Sequence, residues 1–319
     1  MSFSSKVKNE LARHVGKARH CSIAEIAAII KMCGHVEVTP AVSIVVHTEN
    51  PSVAKKFYLL LKETFKINPE IAIRKNVHLG KSRNYILHLN NPSEASRVLQ
   101  ATKMLDISDN GQIKTIDGIN SLIVQSTCCK RAYIRGAFLG GGSVSDPEKN
   151  YHLEFVNTSE EHCKALQKII HSFELDAKIV RRKKYFVLYM KDGTQIVDMF
   201  NIMGAHVALM DLENVRIVKE MRNNVNRIVN CETANLNKTV SAAVKQLEDI
   251  NYIESIIGLD KLPSNLEEVA RIRQIYTDAS LKELGAMLDP VVGKSGVNHR
   301  LRKISNIAEK LRKEREGVI

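Results

Sequence analysis

Tryptophan is absent from this chain, and phenylalanine and tyrosine supply only 5% of its residues. Single-stranded nucleic acid is gripped largely by stacking bases on aromatic rings, so that mode has little to work with here. Long apolar runs are missing too: none approaches the ~20 residues of a membrane span. The amino terminus, Met1-Ser2-Phe3-Ser4-Ser5-Lys6, carries no apolar signal region. The six cysteines (Cys21, Cys33, Cys128, Cys129, Cys163 and Cys231) form no Cys-x-x-Cys pair and are too sparse for a disulfide scaffold. They read as reduced, mostly packed thiols of a cytosolic protein, with no metal or cofactor implied. Adjacent cysteines such as Cys128-Cys129 rarely bridge to each other. Acidic charge is in deficit, 35 residues against 47 Lys and Arg, for a net charge of +12. That excess points to a polyanion partner, nucleic acid before an anionic membrane. At 319 residues, two domains with separate cores are expected.

The stretch with most to say is Ile134 to Ser143, Ile-Arg-Gly-Ala-Phe-Leu-Gly-Gly-Gly-Ser, preceded by Cys128-Cys129-Lys130-Arg131-Ala132-Tyr133. It reads as a helix ended by Gly140 to Gly142, because glycine enters positive φ without steric cost. Gly136 lies one turn inside. A glycine there costs about 1 kcal/mol against alanine, so a close backbone contact is the expected compensation. The nine positions Ile134 to Gly142 resemble the LAGLIDADG motif of homing endonucleases, in which two such helices pack side by side. That resemblance implies a second copy, and Ile26 to Gly34 supplies one, displaced by 108 residues (134 − 26 = 108). Ala28 then matches Gly136. The offset persists: Phe65 falls on Phe173, Ile67 on Leu175, Ile71 on Ile179, Arg74 on Arg182 and Lys75 on Lys183. A constant offset of this length marks an internal repeat.

The departure from the motif matters most. In homing endonucleases the eighth position is an acidic residue that holds the catalytic metal, because phosphodiester hydrolysis needs a hard cation on carboxylate oxygens. Here it is Cys33 in one copy and Gly141 in the other. Asp146 and Glu37 lie beyond the helix ends. The scaffold reads as kept and the nuclease as lost.

In chain order, residues 4–19 read as a basic amphipathic helix with Val7, Leu11 and Val15 on one stripe, either an arm on DNA or a helix packed on the domain. Ser22 and Glu25 have the spacing of a capping box for the first motif helix. Strands are expected over 36–38, 42–46, 71–77 and 85–89, helices over 51–65 and 92–105, and a hairpin over 78–84 with Lys81 and Arg83 near its tip. Residues 106–118 read as a connector. The second repeat gives strands over 151–157, 177–182 and 185–190, and a helix over 160–173 capped by Asn157 or Ser159. Arg181-Arg182-Lys183-Lys184 occupies its hairpin tip. Homing endonucleases join two such sheets into a saddle that grips duplex DNA. On that resemblance Arg181, Arg182, Lys183 and Lys184 touch phosphates, or else the saddle docks a protein.

Residues 214–229 read as a helix with an apolar stripe of Val218, Met221, Val225 and Ile228, either a DNA-contacting or a solvated interdomain helix. Its other side presents Arg216, Lys219, Asn223 and Arg227, a basic and amide-bearing face that suits phosphate. A further helix over 237–257 closes at Gly258. Then come a helix over 266–276, a short helix opened by the capping box Ser280-Leu281-Lys282-Glu283, and a long helix over 296–315 capped by Ser295. Residues 291–319 carry eight Lys or Arg against three Glu. The last pair reads as a helix-turn-helix, whose second helix enters the major groove. Ser295, Asn298, His299 and Arg302 fall nearest the bases, since arginine pairs bidentately with guanine and asparagine with adenine. Lys294, Arg300 and Lys303 fall nearer phosphates.

A degenerate duplicated LAGLIDADG domain followed by a helix-turn-helix resembles the bacterial WhiA family over nearly the whole chain. The most specific stretches are Met221 to Arg227, Asn230 to Asn235 and Lys294 to Leu301. The expected fold is α+β, a duplicated LAGLIDADG (αββαββα) domain over 1–205, with repeats at about 20–105 and 121–204, then an all-α domain over 206–319 with the helix-turn-helix at about 280–312. The resemblance implies a cytoplasmic, nucleoid-associated protein that binds double-stranded DNA and acts in cell division and chromosome segregation. In sporulating filamentous relatives it implies transcription regulation. Two other readings stand beside it: an active homing endonuclease, and a LAGLIDADG module that docks a protein while only the C-terminal domain meets DNA.

Overall fold

A computed structural model of the chain describes residues 1–14, 16, 18–39, 41–75, 83–107 and 113–316, in two compact units, Met1–Lys219 and Glu220–Ile319. Val15 and Lys81 lie outside the described residues.

The first unit opens with α1 (Phe3–Arg13) and then repeats one pattern twice. The first copy is α2 (Arg19–Cys33), β1 (Gly34–Glu37), β2 (Ser43–Thr48), α3 (Pro51–Phe65), β3 (Glu70–Lys75), β4 (Arg83–Leu89) and α4 (Pro92–Ala101). After a small antiparallel ribbon, β5 (Leu105–Ile107) and β6 (Ile113–Thr115), the second copy is α5 (Thr127–Gly141), β7 (Gly142–Val144), β8 (Leu153–Asn157), α6 (Glu160–His171), β9 (Lys178–Arg182), β10 (Tyr185–Met190) and α7 (Gly193–Met203). The ribbon replaces the expected plain connector. Each copy folds as αββαββα, and both antiparallel sheets have the same strand order, β1-β2-β4-β3 and β7-β8-β10-β9. Among the described residues the two sheets share no strand pairing, so the expected joined saddle is two sheets linked through helix packing.

The helix starts are set locally. Asn50, Asn91, Ser159 and Asp192 each accept backbone N–H bonds in the first turns of α3, α4, α6 and α7, satisfying donors that a helix terminus leaves orphaned. Proline opens α3 and α4, where its missing N–H is harmless. Lys66 and Glu174, again 108 residues apart, both sit at positive φ (59° and 63°) where the matching helices end. Tertiary packing therefore repeats the backbone path even where the residue types differ.

The core of this unit is the α2–α5 pair, wrapped by α1, α3, α7 and the inner sheet faces. Val7 and Leu11 of α1 are fully buried, and Glu10 accepts N–H bonds from Val207 and Ala208 at the start of the helix that follows α7 (2.7 and 3.0 Å). Helix α1 is thus a packed and capping element, the plainer of its two expected roles. Ser22 and Glu25 do not cap α2, which begins at Arg19 without a side-chain cap. Glu25 is instead buried between Lys56 of α3 (3.4 Å) and Arg135 of α5 (3.3 Å).

A second buried polar group sits under β8. The Tyr133 hydroxyl and the Asn157 amide meet opposite nitrogens of His162, at 2.8 and 3.1 Å. Burial holds the His162 imidazole down at about 4, against an ordinary value of about 6.5. Between those values the unfolded chain takes up a proton that the folded chain refuses. Stability is therefore expected to fall as pH drops from about 6.5 toward about 4, by on the order of 2 kcal/mol from this group. Urea unfolding at neutral pH and near pH 4.5 checks this: the acid loss should shrink in His162→Gln, and an equal loss in both proteins would refute the assignment.

The long helix α8 (His206–Ile256) replaces the two helices expected over 214–229 and 237–257. Its 51 residues contain neither glycine nor proline, so nothing local interrupts it. Its apolar stripe Val218, Met221, Val225 and Ile228 is exposed, at 45–63%. It closes at Gly258, whose φ of +82° suits a residue without Cβ.

The second unit gathers the end of α8 with α9 (Ser264–Ile275), α10 (Leu281–Ala286) and α11 (Lys294–Glu316). Ile250, Ile253, Leu266, Val269, Leu284, Leu288, Val297, Leu301, Ile304 and Ala308 form its core. Asp249, nearly buried, pairs with Arg312 at 2.8 Å, and the Arg312 guanidinium lies over the Tyr252 ring (4.8 Å). Together they fasten the end of α8 to α11.

Candidate nucleic-acid interface

The Ser280 and Glu283 capping box opens α10 as the spacing predicts, each side chain bonding the other's backbone N–H (3.3 and 2.7 Å). Gly285 then meets the turn: its carbonyl accepts from Val292 N–H at 3.0 Å, and a Cβ built on it would stand 2.0 Å from the Val292 oxygen. Sequence reasoning passed Gly285 by, although a glycine inside a six-residue helix is itself a sign of close backbone approach. Helix α11 begins at Lys294, with the Gly293 carbonyl accepting from Gly296 and Val297. Ser295 is therefore inside the first turn and not its cap.

On α11 the buried stripe is Val297, Leu301, Ile304 and Ala308. At 100° per residue, Ser295, Asn298, His299 and Arg302 fall on the opposite side. All four are exposed, as are Lys294 and Lys303. None of their side chains makes a hydrogen bond or ion pair among the described residues. Arg300 differs: it is half-buried, donates to the Asn265 carbonyl (3.4 Å) and lies 4.0 Å from Glu268. Glu268 also accepts from Asp289 N–H at 2.9 Å. Arg300 thus fastens α11 and the turn to α9.

The other basic residues lie on β9, its hairpin and α8. Strand alternation places Arg182 on the face away from the helices and Arg181 on the face toward them. Arg182 lies 3.4 Å from Glu154, which also holds His152 at 3.0 Å. Arg181 lies over Phe186 and Lys184 over Tyr185. Lys183 turns the hairpin at φ +55°. The matching face of the first sheet carries His35, His47, His88 and Arg74. Burial and the neighbouring His88, Arg74 and His35 press the His47 imidazole below its ordinary value. Arg216 is half-buried and bound to Glu213 (2.8 Å) and Thr194 (3.1 Å). Asn223 and Arg227, farther along α8, are exposed.

The carboxyl ends of α2 and α5 hold Cys33 and Gly141, the eighth positions of the two motif copies. The Cys33 thiol donates to the Ile29 carbonyl (3.3 Å), and burial pushes it up to about 12. A Cβ on Gly141 would meet Met32 Cε at 2.5 Å and the Val156 oxygen at 2.8 Å, so the place of a carboxylate is filled from both sides. Glu37 is turned to His35 (3.7 Å), and Asp146 accepts from Glu148 N–H (3.0 Å). The glycine run ends α5 with Gly142 at φ −85°. These glycines are needed for close approach and not for positive φ, as a Cβ on Gly140 would also lie 2.7 Å from Met32 Cβ.

Three family models match the chain: the WhiA N-terminal LAGLIDADG-like domain over residues 19–105, the WhiA LAGLIDADG-like domain over 130–222 and the WhiA C-terminal HTH domain over 225–308. The probable cell division protein WhiA of Lachnoclostridium phytofermentans is 54% identical over 98% of this chain and 100% of its own. Its counterpart in Alkaliphilus oremlandii is 52% identical over 100% of this chain and 99% of its own. The crystal structure of full-length WhiA from Thermatoga maritima shares the fold, with a TM-score of 0.61 at 24% identity over 97% of this chain and 99% of that one.

Proposed function

The chain belongs to the WhiA family, and from that premise we propose that it is a duplex-DNA-binding protein of cell division and chromosome segregation, a transcription regulator without nuclease activity. The observation that carries this reading is the outer face of α11: four polar side chains, Ser295, Asn298, His299 and Arg302, exposed and unengaged on a helix braced by α10. A recognition helix presents such a face to base edges, with Lys294 and Lys303 set for phosphates. Arg300 is moved from phosphate contact to bracing, on its bonds to α9. The loss of nuclease activity is supported by Cys33 and Gly141, neither of which offers a hard cation an oxygen.

Gel retardation beside a supercoiled-plasmid assay with magnesium or manganese tests both halves. Retardation without nicking is expected, and metal-dependent nicking that co-purifies with the protein would overturn the reading of Cys33 and Gly141. Arg302→Ala should weaken specific binding by about 1–3 kcal/mol while leaving random DNA nearly unaffected. An equal loss on random DNA would reassign Arg302 to phosphate, and no loss would remove α11 from the interface.

A docking role for the LAGLIDADG-like unit is favoured by the partly neutralised sheet face, where Glu154 holds both Arg182 and His152. The same gel shifts across a salt series separate it from a DNA-gripping saddle. Joint alanine replacement of Arg181 to Lys184 should leave the salt slope unchanged if the unit docks protein, and flatten it if those residues meet phosphate.

A further inference from the structure

Four ligand-bearing side chains meet where α2 and α5 begin, at the opposite ends from Cys33 and Gly141. His20 Nδ1 lies 3.0 Å from Cys129 Sγ and 3.5 Å from Cys21 Sγ. With Cys128 included, the four ligand atoms all fall within 4.8 Å of one another. Four atoms at that spacing surround a tetrahedral ion with metal–sulfur bonds of about 2.3 Å and a metal–nitrogen bond of about 2.0 Å. The sequence presents them as two adjacent pairs, and the repeat explains why they converge. His20-Cys21 and Cys128-Cys129 are separated by the same 108 residues as the motif copies. The pseudo-symmetry that packs α2 against α5 therefore brings the two pairs face to face.

We propose that His20, Cys21, Cys128 and Cys129 form a structural Cys3His zinc site that clamps the amino ends of the two motif helices. Three soft thiolates and one imidazole are the donor set of zinc rather than of magnesium or calcium. Four protein ligands leave no open position, so the site is structural and not catalytic. A second, independent feature agrees. Helices α2 and α5 start with no side-chain cap and no acidic residue in the first turn, whereas α3, α4, α6 and α7 are all side-chain capped. The cluster occupies the first turn of each uncapped helix, where free N–H groups and the positive end of the helix dipole favour thiolates. Arg19, Lys130 and Arg131 flank it in sequence, offsetting the single negative charge of a zinc ion bound to three thiolates. The set is also accessible: His20 and Cys128 are exposed, and Cys21 and Cys128 line an open cleft with Gly16, Arg131 and Asn201. This revises the reading of these cysteines as merely packed thiols.

Cobalt titration of the full-length protein, reduced and stripped of metal, tests the site. One equivalent of Co2+ should raise a sulfur-to-cobalt charge-transfer band and the intense visible bands of a tetrahedral ion, and zinc should bleach both. Cys128→Ser removes one exposed thiolate and should weaken cobalt binding by at least about tenfold, since even outer-sphere partners shift metal affinity by 10–100-fold. His20→Ala should act likewise, while Cys231→Ser, on the exposed part of α8, should bind as the parent does. Circular dichroism of each variant separates lost ligation from lost folding. Absence of the charge-transfer band, parental binding by Cys128→Ser and His20→Ala, or a disulfide among Cys21, Cys128 and Cys129 in protein prepared without oxidant would each overturn the proposal.

Discussion

Glu25→Ala is expected to destabilise the first unit by about 3–5 kcal/mol. Glu25 is 1% exposed and is the shared counterion of two buried cations, Lys56 and Arg135, themselves 4% and 5% exposed. Removing one partner of a buried ion pair leaves the other charge in low dielectric with nothing to balance it, and that loss reaches several kcal/mol. Here one deletion strands two cations. Arg135 keeps a bond to the Met203 carbonyl (3.1 Å) and Lys56 one to the His14 carbonyl, which orient them without neutralising them. Domains are stable by only about 5–15 kcal/mol, so the variant should unfold at a much lower urea concentration. The triple replacement Glu25→Leu, Lys56→Leu and Arg135→Leu should recover much of the loss, because apolar residues of similar volume often replace buried ion pairs without penalty. A loss below about 1 kcal/mol for Glu25→Ala would show that water reaches the three groups.

Glu25 also marks where sequence reading fails and why. Ser22-x-x-Glu25 has the spacing of a capping box, and so does Ser280-x-x-Glu283. The second is one and the first is not. Both signatures are local, but only Glu25 is covered by residues from α3 and α5, and Arg135 lies 110 positions away. The duplication was legible because a fixed offset needs no knowledge of packing, and it carried both αββαββα copies. The helix-turn-helix was legible because its first capping box and its stripe are local, as Ser280, Glu283, Leu284, Leu288, Val297 and Leu301 bear out; the Ser295 cap was not. The stripe at Met221 to Ile228 left two readings open, because helical periodicity announces an apolar face but not whether anything covers it. Arg300 shows the same limit at the interface. Its neighbours in sequence point outward, and only the fold reveals that Asn265 and Glu268 hold it. The meeting of His20, Cys21, Cys128 and Cys129 had one available signal, the repeat offset applied five and six residues upstream of the motif.

Gly136→Leu is expected to part the motif helices and to destabilise the first unit by about 3 kcal/mol or more. At most helical positions replacing glycine gains stability, about 1 kcal/mol for alanine. Here even alanine's Cβ would stand 2.5 Å from the Glu25 carbonyl oxygen and 2.9 Å from Ala28 Cβ. Neither can swing aside, since one is backbone and the other has no rotamer. Helix α2 would have to move, and overpacking of this kind costs about 1–3 kcal/mol before any backbone shift. Gly136→Ala should therefore also destabilise, against its helix propensity. Gly193→Ala supplies the control, since its Cβ would meet its nearest neighbour, the Tyr151 ring, at an ordinary 3.4 Å. Denaturant midpoints of the three variants decide the matter, and a stabilised Gly136→Ala would mean that α2 and α5 lie farther apart than described. The contact also explains how this scaffold outlasts the carboxylates that the motif carries in homing endonucleases. Helix spacing depends on the bare backbone at Gly136 and on Ala28, one turn or more from the eighth positions at Cys33 and Gly141. The helix contact therefore does not depend on a carboxylate at either eighth position.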